Sequence, residues 1–549
     1  MTTPRTTPAS DIKPRHKMSP ENPCTIGLRR SLNREGVMTP AEHPPFPNRR
    51  MSRRGFLVLG TGTAAAVGLS ACSSGGGTPV QAKVGPTSPL VARGEQARRA
   101  ANAAVTTADL TATVGEVDLG GVPVKTWTYG GALPGKEIRL KRGEVLKANL
   151  GNRLPQPTSI HWHGLALRND MDGVPDVTQQ AVAANADFTY EFTVPDAGTY
   201  WFHPHVGVQL DRGLYAPLIV EDPADGKDYD DELVIVLDDW IDGTGTDPDA
   251  VLDNLKKNGM AMGHSMPGMS EMPGMPKSDV LGGDAGDVIY PHMLANGRLA
   301  TAPHSFDGKP GQRIRLRLIN AGGDTVFRVG IPGVPMRITH TDGFPATTPN
   351  PAETVLIGMG ERVDAVISLP DKGVPVIAIA EGKNAYAQIL LHSGGSKSAT
   401  ANDTAVAALK ARQVHGLADF QATPEVSLPA KNPDVVHDMV LAGPGAKYDW
   451  TINGKPFNPN DGLPIRQGQR VRLRFVNDSD MYHPMHLHGH TFQVRGQNNL
   501  GARKDTAIVL PRTTVEVDFD ANNPGQWLTH CHNVYHGEAG MMSVVSYVE

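Results

Sequence analysis

A ten-residue strand pattern that recurs along the chain constrains its fold more than any other feature. Gly311-Gln312-Arg313-Ile314-Arg315-Leu316-Arg317-Leu318-Ile319-Asn320 returns as Gly468-Gln469-Arg470-Val471-Arg472-Leu473-Arg474-Phe475-Val476-Asn477. A weaker copy is Gly143-Glu144-Val145-Leu146-Lys147-Ala148-Asn149-Leu150-Gly151-Asn152. In the strong copies Ile314, Leu316 and Leu318, or Val471, Leu473 and Phe475, alternate with arginines. Period two with one apolar and one charged face predicts a half-buried β-strand. The copies start 168 and 157 residues apart in a chain of 549, a spacing that suits three tandem domains. With 60 glycines, 45 prolines and no βαβ rhythm, an all-β chain of three sandwiches is expected. Their boundaries read as 106–225, 230–395 and 415–549, with a Gly/Ser/Ala-rich linker near 394–420 holding a helical turn or two.

The N-terminal part reads as targeting rather than fold. Ser52-Arg53-Arg54-Gly55-Phe56-Leu57 is a twin-arginine pattern, and the apolar run from Phe56 to Leu69 is too short for a bilayer span. Leu69-Ser70-Ala71-Cys72 resembles a bacterial lipobox, which makes Cys72 the expected lipidation site. Residues 1–72 are thus a leader for the twin-arginine export machinery, and 73–105, rich in Gly, Pro, Ala and Arg, a tether from a lipid anchor in the membrane. The expected location is the cell envelope or periplasm. Of three cysteines, Cys24 falls in the leader, and Cys72 and Cys531 have chemical roles of their own, so no structural disulfide is expected. A net charge of −5 gives no push toward nucleic acid. A monomer is expected.

Ten of the 20 histidines fall in four short windows. These are His161-Trp162-His163-Gly164, His203-Pro204-His205, His483-Pro484-Met485-His486-Leu487-His488, and His530-Cys531-His532-Asn533-Val534-Tyr535-His536 with Met541 beyond. Neither packing nor solvation explains such density, whereas a metal cage does. In an extended strand i and i+2 share a face, so His161 with His163, His203 with His205, and His486 with His488 can converge. His530 and His532 then face away from Cys531, which would set two metal sites one residue apart along the chain. Two His, one thiolate and a weak Met make a blue-copper set, here His483, Cys531, His536 and Met541. The other eight imidazoles, with no carboxylate, suit copper and O2 chemistry. Zinc is the runner-up, but a structural zinc site closes at four ligands.

In this order the four motifs resemble the signature of the three-domain multicopper oxidases, laccases and bacterial copper-efflux oxidases among them, over the whole body from about residue 105. The resemblance implies three cupredoxin-like Greek-key β-sandwiches and four copper ions per chain. His161 and His486 would hold the type 2 copper. His163, His203 and His532 would hold one type 3 copper, and His205, His488 and His530 the other. His483, Cys531 and His536 would hold type 1, with Met541 axial. The middle domain keeps only His340 in the equivalent segment and should bind no catalytic copper. Substrate would lose single electrons at an exposed edge of His483 or His536, and electrons would pass through Cys531 to His530 and His532, where O2 becomes water. Asp172 matches the acid that relatives use as a proton relay near type 2 copper. The acid that copper-efflux relatives carry after the last type 1 histidine is replaced by Gly537, with Glu538 one position on.

Six methionines and a histidine (Met260, Met262, His264, Met266, Met269, Met272 and Met275) crowd a Gly/Pro-rich loop, 260–275, without helical or strand periodicity. Thioethers select Cu(I), so the loop reads as a cuprous-ion collector. Met481 matches a substrate-copper ligand of copper-efflux relatives, and Asp480 is its candidate partner. An axial Met favours easily oxidised reductants, with Cu(I) ahead of Fe(II), Mn(II) or phenols. The rivals are an exported copper carrier without turnover, a copper-free relative, a laccase-like phenol oxidase, and a copper nitrite reductase, which lacks the type 3 pair.

Overall fold

Each copy of the repeated strand takes the same place in its own pair of sheets. The computed structural model describes residues 82–222, 228–259, 276–496 and 501–549. Val145–Arg153, Arg313–Asn320 and Arg470–Asn477 run parallel to the strands that open their sandwiches, Val105–Asp118, Asp231–Trp240 and Val435–Ala442. Each is antiparallel on its other side to Asp187–Thr193, Arg362–Ser368 or Thr514–Asp520. Among the described residues the three pairs hold four and four, eight and six, and six and five strands, an all-β fold.

Why each copy ends in asparagine is visible. The amide groups of Asn152, Asn320 and Asn477 donate to the carbonyls of Gln156, Thr325 and Met481, which closes the turn after the strand, and to those of Val182, Ile357 and Val509 on distant segments. Their amide oxygens accept the N–H two residues on, at 2.9 Å in every case. This is the local side-chain-to-backbone bond that Asn offers best. The apolar faces meet inside the sandwiches: Leu146, Ala148 and Leu150 against Trp162, Tyr190 and Phe202, and Leu473 and Phe475 against Phe492 and Trp527. Each leucine and phenylalanine among them contributes roughly 1.5–3 kcal/mol through burial.

Two expectations need correction. The charged face of the middle strand is not open to solvent: Arg315 and Arg317 are buried, both paired with Asp364 at 2.6 and 3.3 Å. The strand Gly198–His203 of the first sandwich covers that face, and Arg317 donates to Thr199 Oγ1. Part of the stretch expected as a tether, 73–105, is instead built into the body. Lys83 bridges Val548, and a helix, Pro89–Arg98, packs on the body through buried Glu95, which accepts from the Thr193 N–H and hydroxyl. The linker holds a helix, Asp403–Lys410, and two short strands that extend the sheets of the middle sandwich. Among the described residues no helix is long and apolar enough to cross a membrane. The leader, Cys24, Cys72 and the Met-rich loop 260–275 lie outside the described residues.

Candidate metal centres

Strand pairing, not chain proximity, assembles the four histidine windows. His161–His163 pairs antiparallel with Gly198–His203, setting His161 opposite His203. His483–Leu487 pairs antiparallel with Gln526–Cys531, setting His486 opposite His530. These two-strand units, from the first and third sandwiches, meet ring to ring. His161 stacks on His488 at 3.7 Å between centroids and His163 on His486 at 3.9 Å. His205, His488 and His530 lie 4.9–5.2 Å apart in all three pairings. His532 stands 4.9 and 5.3 Å from His163 and His203. The His161 and His486 rings are 5.7 Å apart. All eight cage imidazoles thus converge.

Hydrogen bonding orients the rings. Nδ1 of His161, His203, His486 and His530 meets the carbonyls of Asp172, Pro204, Asp505 and Cys531 at 2.9–3.0 Å. A carbonyl only accepts, so each Nδ1 carries the proton and each Nε2 keeps a bare lone pair. His163 is turned over: its Nε2 meets Asp505 Oδ1 at 3.1 Å and its Nδ1 faces inward. The inward nitrogens of His161, His163, His203 and His486, and both nitrogens of His532, are buried without a partner. His530 Nε2 lies 3.1 Å from His488 Nε2 and 3.3 Å from His205 Nε2. Burial beside other imidazoles pushes His163, His203, His205, His488, His530 and His532 well below the usual histidine range. Neutral, orphaned lone pairs aimed at a common space fit bound cations and little else.

Two buried carboxylates brace this cage. Asp172 Oδ2 accepts from His488 Nδ1 at 3.0 Å, and its Oδ1 lies 3.2 Å from His161 Nδ1. The short helix Asn169–Met171 delivers Asp172. Gly173 follows at φ +83°, where a Cβ would stand 1.9 Å from the Ile160 carbonyl oxygen, so only glycine lets the chain turn there. Asp505, absent from the sequence reading, touches His163, and Thr506 Oγ1 lies 3.1 Å from His486 Nδ1. Burial opposes its charge, yet the Arg362 guanidinium holds its carboxyl well below the usual range.

The second centre lies on the other face of Gln526–Cys531. Cys531 Sγ is 3.6 Å from Nδ1 of both His483 and His536, and these nitrogens are 3.1 Å apart. Met541 is buried, and its carbonyl accepts the Cys531 N–H at 3.0 Å. The ring of His536 lies 4.1 Å from that of Trp450. The expected exposed edge is not there: His483 and His536 are fully buried. Ser479 Oγ covers His483 Nε2 and Asp287 Oδ2 covers His536 Nε2, both at 2.8 Å. Asp287 also accepts from Tyr448 Oη. The only hint of Asp287 in the sequence is its place in Asp284-Ala285-Gly286-Asp287, just after the Met-rich loop.

Of the expected substrate ligands, Met481 is buried and its backbone bridges Asp284. Asp480 does not join it, because its carboxylate is exposed and pairs with Arg512 at 2.8 Å. Asp284 is joined to Met481 through that backbone bridge, its carboxylate accepts the Gly286 N–H, and burial pushes it up to about 6. His340 of the middle sandwich contacts Arg315 and Thr339 instead. A cavity of about 30 Å³, lined by His203, His205, His530, His532 and Glu538 among others, opens beside the cage. Burial raises Glu538 to about 7.

Three models described as multicopper oxidase match residues 111–225, 231–396 and 429–549. Multicopper oxidase MmcO of Mycobacterium tuberculosis is 45% identical over 92% of this chain and 98% of its own length. A copper resistance protein A homolog of Pseudomonas syringae pv. tomato is 26% identical over 80% of this chain and 91% of its own. Among solved structures, Fet3p, described as a multicopper oxidase that functions in iron import, superimposes with a TM-score of 0.67 at 20% identity. That match covers 81% of this chain and 90% of Fet3p. A multicopper oxidase from Pseudomonas thermotolerans gives 0.61 at 24% identity, covering 81% of this chain and 100% of that one. The sandwiches are therefore cupredoxin-like, and with three consecutive family matches and a relative of this similarity, the chain belongs to the multicopper oxidases, oxygen-dependent oxidoreductases that work with copper.

Proposed function

We propose that this oxidase is exported, anchored at Cys72, and oxidises Cu(I) in copper tolerance, with four coppers per chain. His483, Cys531 and His536 would hold one, with Met541 beside them. His161 and His486 would hold a second, His163, His203 and His532 a third, and His205, His488 and His530 the fourth. Bound copper supplies one-electron acceptance at the thiolate and four-electron delivery to O2 within the cage. The observation that carries this assignment is that Cys531 and His530, adjacent on one strand end, face opposite centres, while His532, the next residue after the strand, returns to the imidazole cage. Residues 106–225, 230–395 and 415–549 serve as the three domains.

The chain's own groups divide the remaining work. Asp172 holds a proton acceptor between His161 and His488, where O2 reduction consumes protons. Glu538 stands at the small cavity through which O2 and water would pass. Ser479 and Asp287 seal the thiolate site from bulky molecules while leaving polar contacts to its two rings. Met481 with Asp284 offers one soft and one anionic donor near that seal, which suits a cuprous ion better than a phenol. The Met-rich segment would concentrate the ion, and Ser52–Leu57 with Leu69–Cys72 support export and lipidation.

Oxygen uptake by copper-loaded protein with Cu(I), Fe(II), Mn(II) and a phenol tests the assignment. Met481→Leu and Asp284→Asn are expected to slow Cu(I) oxidation several-fold and to leave phenol oxidation unchanged. Equal losses on both would remove the cuprous site. Copper binding without oxygen uptake would favour a carrier.

A further inference from the structure

We propose that Arg362, carried by the middle sandwich, is a positioning residue for the imidazole cage. The inference rests on the copper assignment of that cage. Among the described residues the middle sandwich lends it no imidazole, yet one guanidinium from it reaches three of the cage's supports. Nη1 and Nη2 form a two-pronged pair with Asp505, at 2.8 and 2.7 Å. Nη1 also donates to the Gly360 carbonyl at 3.1 Å, and Nε donates to the Thr199 carbonyl at 3.0 Å. Every one of these supports bears on ring placement. Asp505 holds His163 Nε2, and its carbonyl holds His486 Nδ1. Thr199 belongs to the strand Gly198–His203, which ends in His203. Gly360 lies flat against two rings: a Cβ there would stand 2.8 Å from His532 and 2.9 Å from His163.

The surroundings show that the fork itself is used, not only its charge. Arg362 is fully buried, and a Cβ on Gly164 would meet its Nη2 at 2.3 Å and Asp505 Oδ2 at 2.6 Å. The chain has thus left room for a planar pair and nothing larger. Behind it, Asp342 accepts the Arg362 N–H at 2.9 Å with one oxygen and the Asp505 and Thr506 N–H groups at 3.2 Å with the other. Lys504 lies 3.0 Å from Asp342 and 3.1 Å from Glu361, which neutralises that carboxylate separately. A lysine at 362 would keep the charge but could not hold both Asp505 oxygens and the Gly360 peptide together.

The test uses full-length, copper-loaded Arg362→Gln and Arg362→Lys. Copper per chain, the blue thiolate absorption, the electron paramagnetic resonance of non-blue cupric ion and thermal unfolding of the metal-free chain are measured. Arg362→Gln is expected to keep the blue absorption while the cage loses affinity for copper about 10–100-fold, the range for groups that orient metal ligands. Arg362→Lys is expected to fall between it and the parent. A full complement with an unchanged cage spectrum in Arg362→Gln would overturn the proposal. So would parallel loss of blue and cage signals in both variants, which would make Arg362 a general strut of the fold. Should Arg362→Gln fail to fold, Arg362→Lys decides by the same split between blue and cage signals. A parent protein without blue absorption would instead overturn the copper assignment.

Discussion

The imidazole cage and the thiolate centre share the strand Gln526–Cys531 but are held in different ways. In the cage, the outward nitrogens of His161, His203, His486 and His530 are tied to main-chain carbonyls, and only those of His163 and His488 to carboxylates, Asp505 and Asp172. At the thiolate centre the outward nitrogens of His483 and His536 are tied to two side chains, Ser479 and Asp287. Asp287 comes from the middle sandwich, three residues beyond the carboxylate that neighbours Met481. The difference teaches a division of labour. Backbone anchors suit a centre that must keep its shape, and polar side-chain covers suit one that must exchange electrons with a visitor.

Substitutions can break this contrast, beginning with the most damaging. His530→Ala removes one imidazole from the cage and leaves the opposite face intact. Oxygen uptake is expected to drop by more than about 100-fold, beyond the loss seen when only a supporting group is removed, while the blue absorption survives. Loss of the blue colour as well would show that the two faces are not separable. Asp172→Asn comes next: the amide replaces the carboxylate whose Oδ2 accepts from His488 Nδ1, while the His161 Nδ1 bond to the main-chain carbonyl of residue 172 is kept. A fall in kcat of about 10–100-fold is expected, with KM for the reductant little changed. A rise in KM alone would move Asp172 out of the cage's work.

Asp287→Asn sharpens the comparison from the other side. It is expected to weaken copper at the thiolate centre about tenfold and shift its blue spectrum, with cage signals unchanged. The smallest effect concerns pH. Burial raises Asp284 to about 6, so its carboxyl is neutral below that pH and anionic above it. Attraction for a cationic reductant is therefore gained as pH rises through about 6. The rate with Cu(I) or Fe(II) at low concentration should show this limb, and Asp284→Asn should flatten it. A limb that persists in the variant assigns the titration to another group.

How much of this was legible in the sequence depended on the distance over which residues act. The repeated strand announced three sandwiches because period two is a local signal and its recurrence at even intervals is visible in the chain. The histidine windows were legible for the same reason: i and i+2 on a strand share a face whatever lies opposite. Partners supplied by other sandwiches were not legible. Asp505 reaches His163 across 342 positions, and Asp287 reaches His536 across 249. Adjacency to Met481 in the chain does not set the direction of the Asp480 side chain, which pairs with Arg512. The arginine face of Arg313–Asn320 was misread because alternation reveals two faces but not whether solvent or a neighbouring sandwich covers the second.

The most direct test of the account is copper-loaded Cys531→Ser, followed by optical absorption, electron paramagnetic resonance and copper per chain. The account predicts no blue absorption, one copper fewer than the parent, intact signals from the cage and no measurable oxygen uptake. A variant that stays blue, or that loses the cage signals together with the thiolate copper, would contradict it.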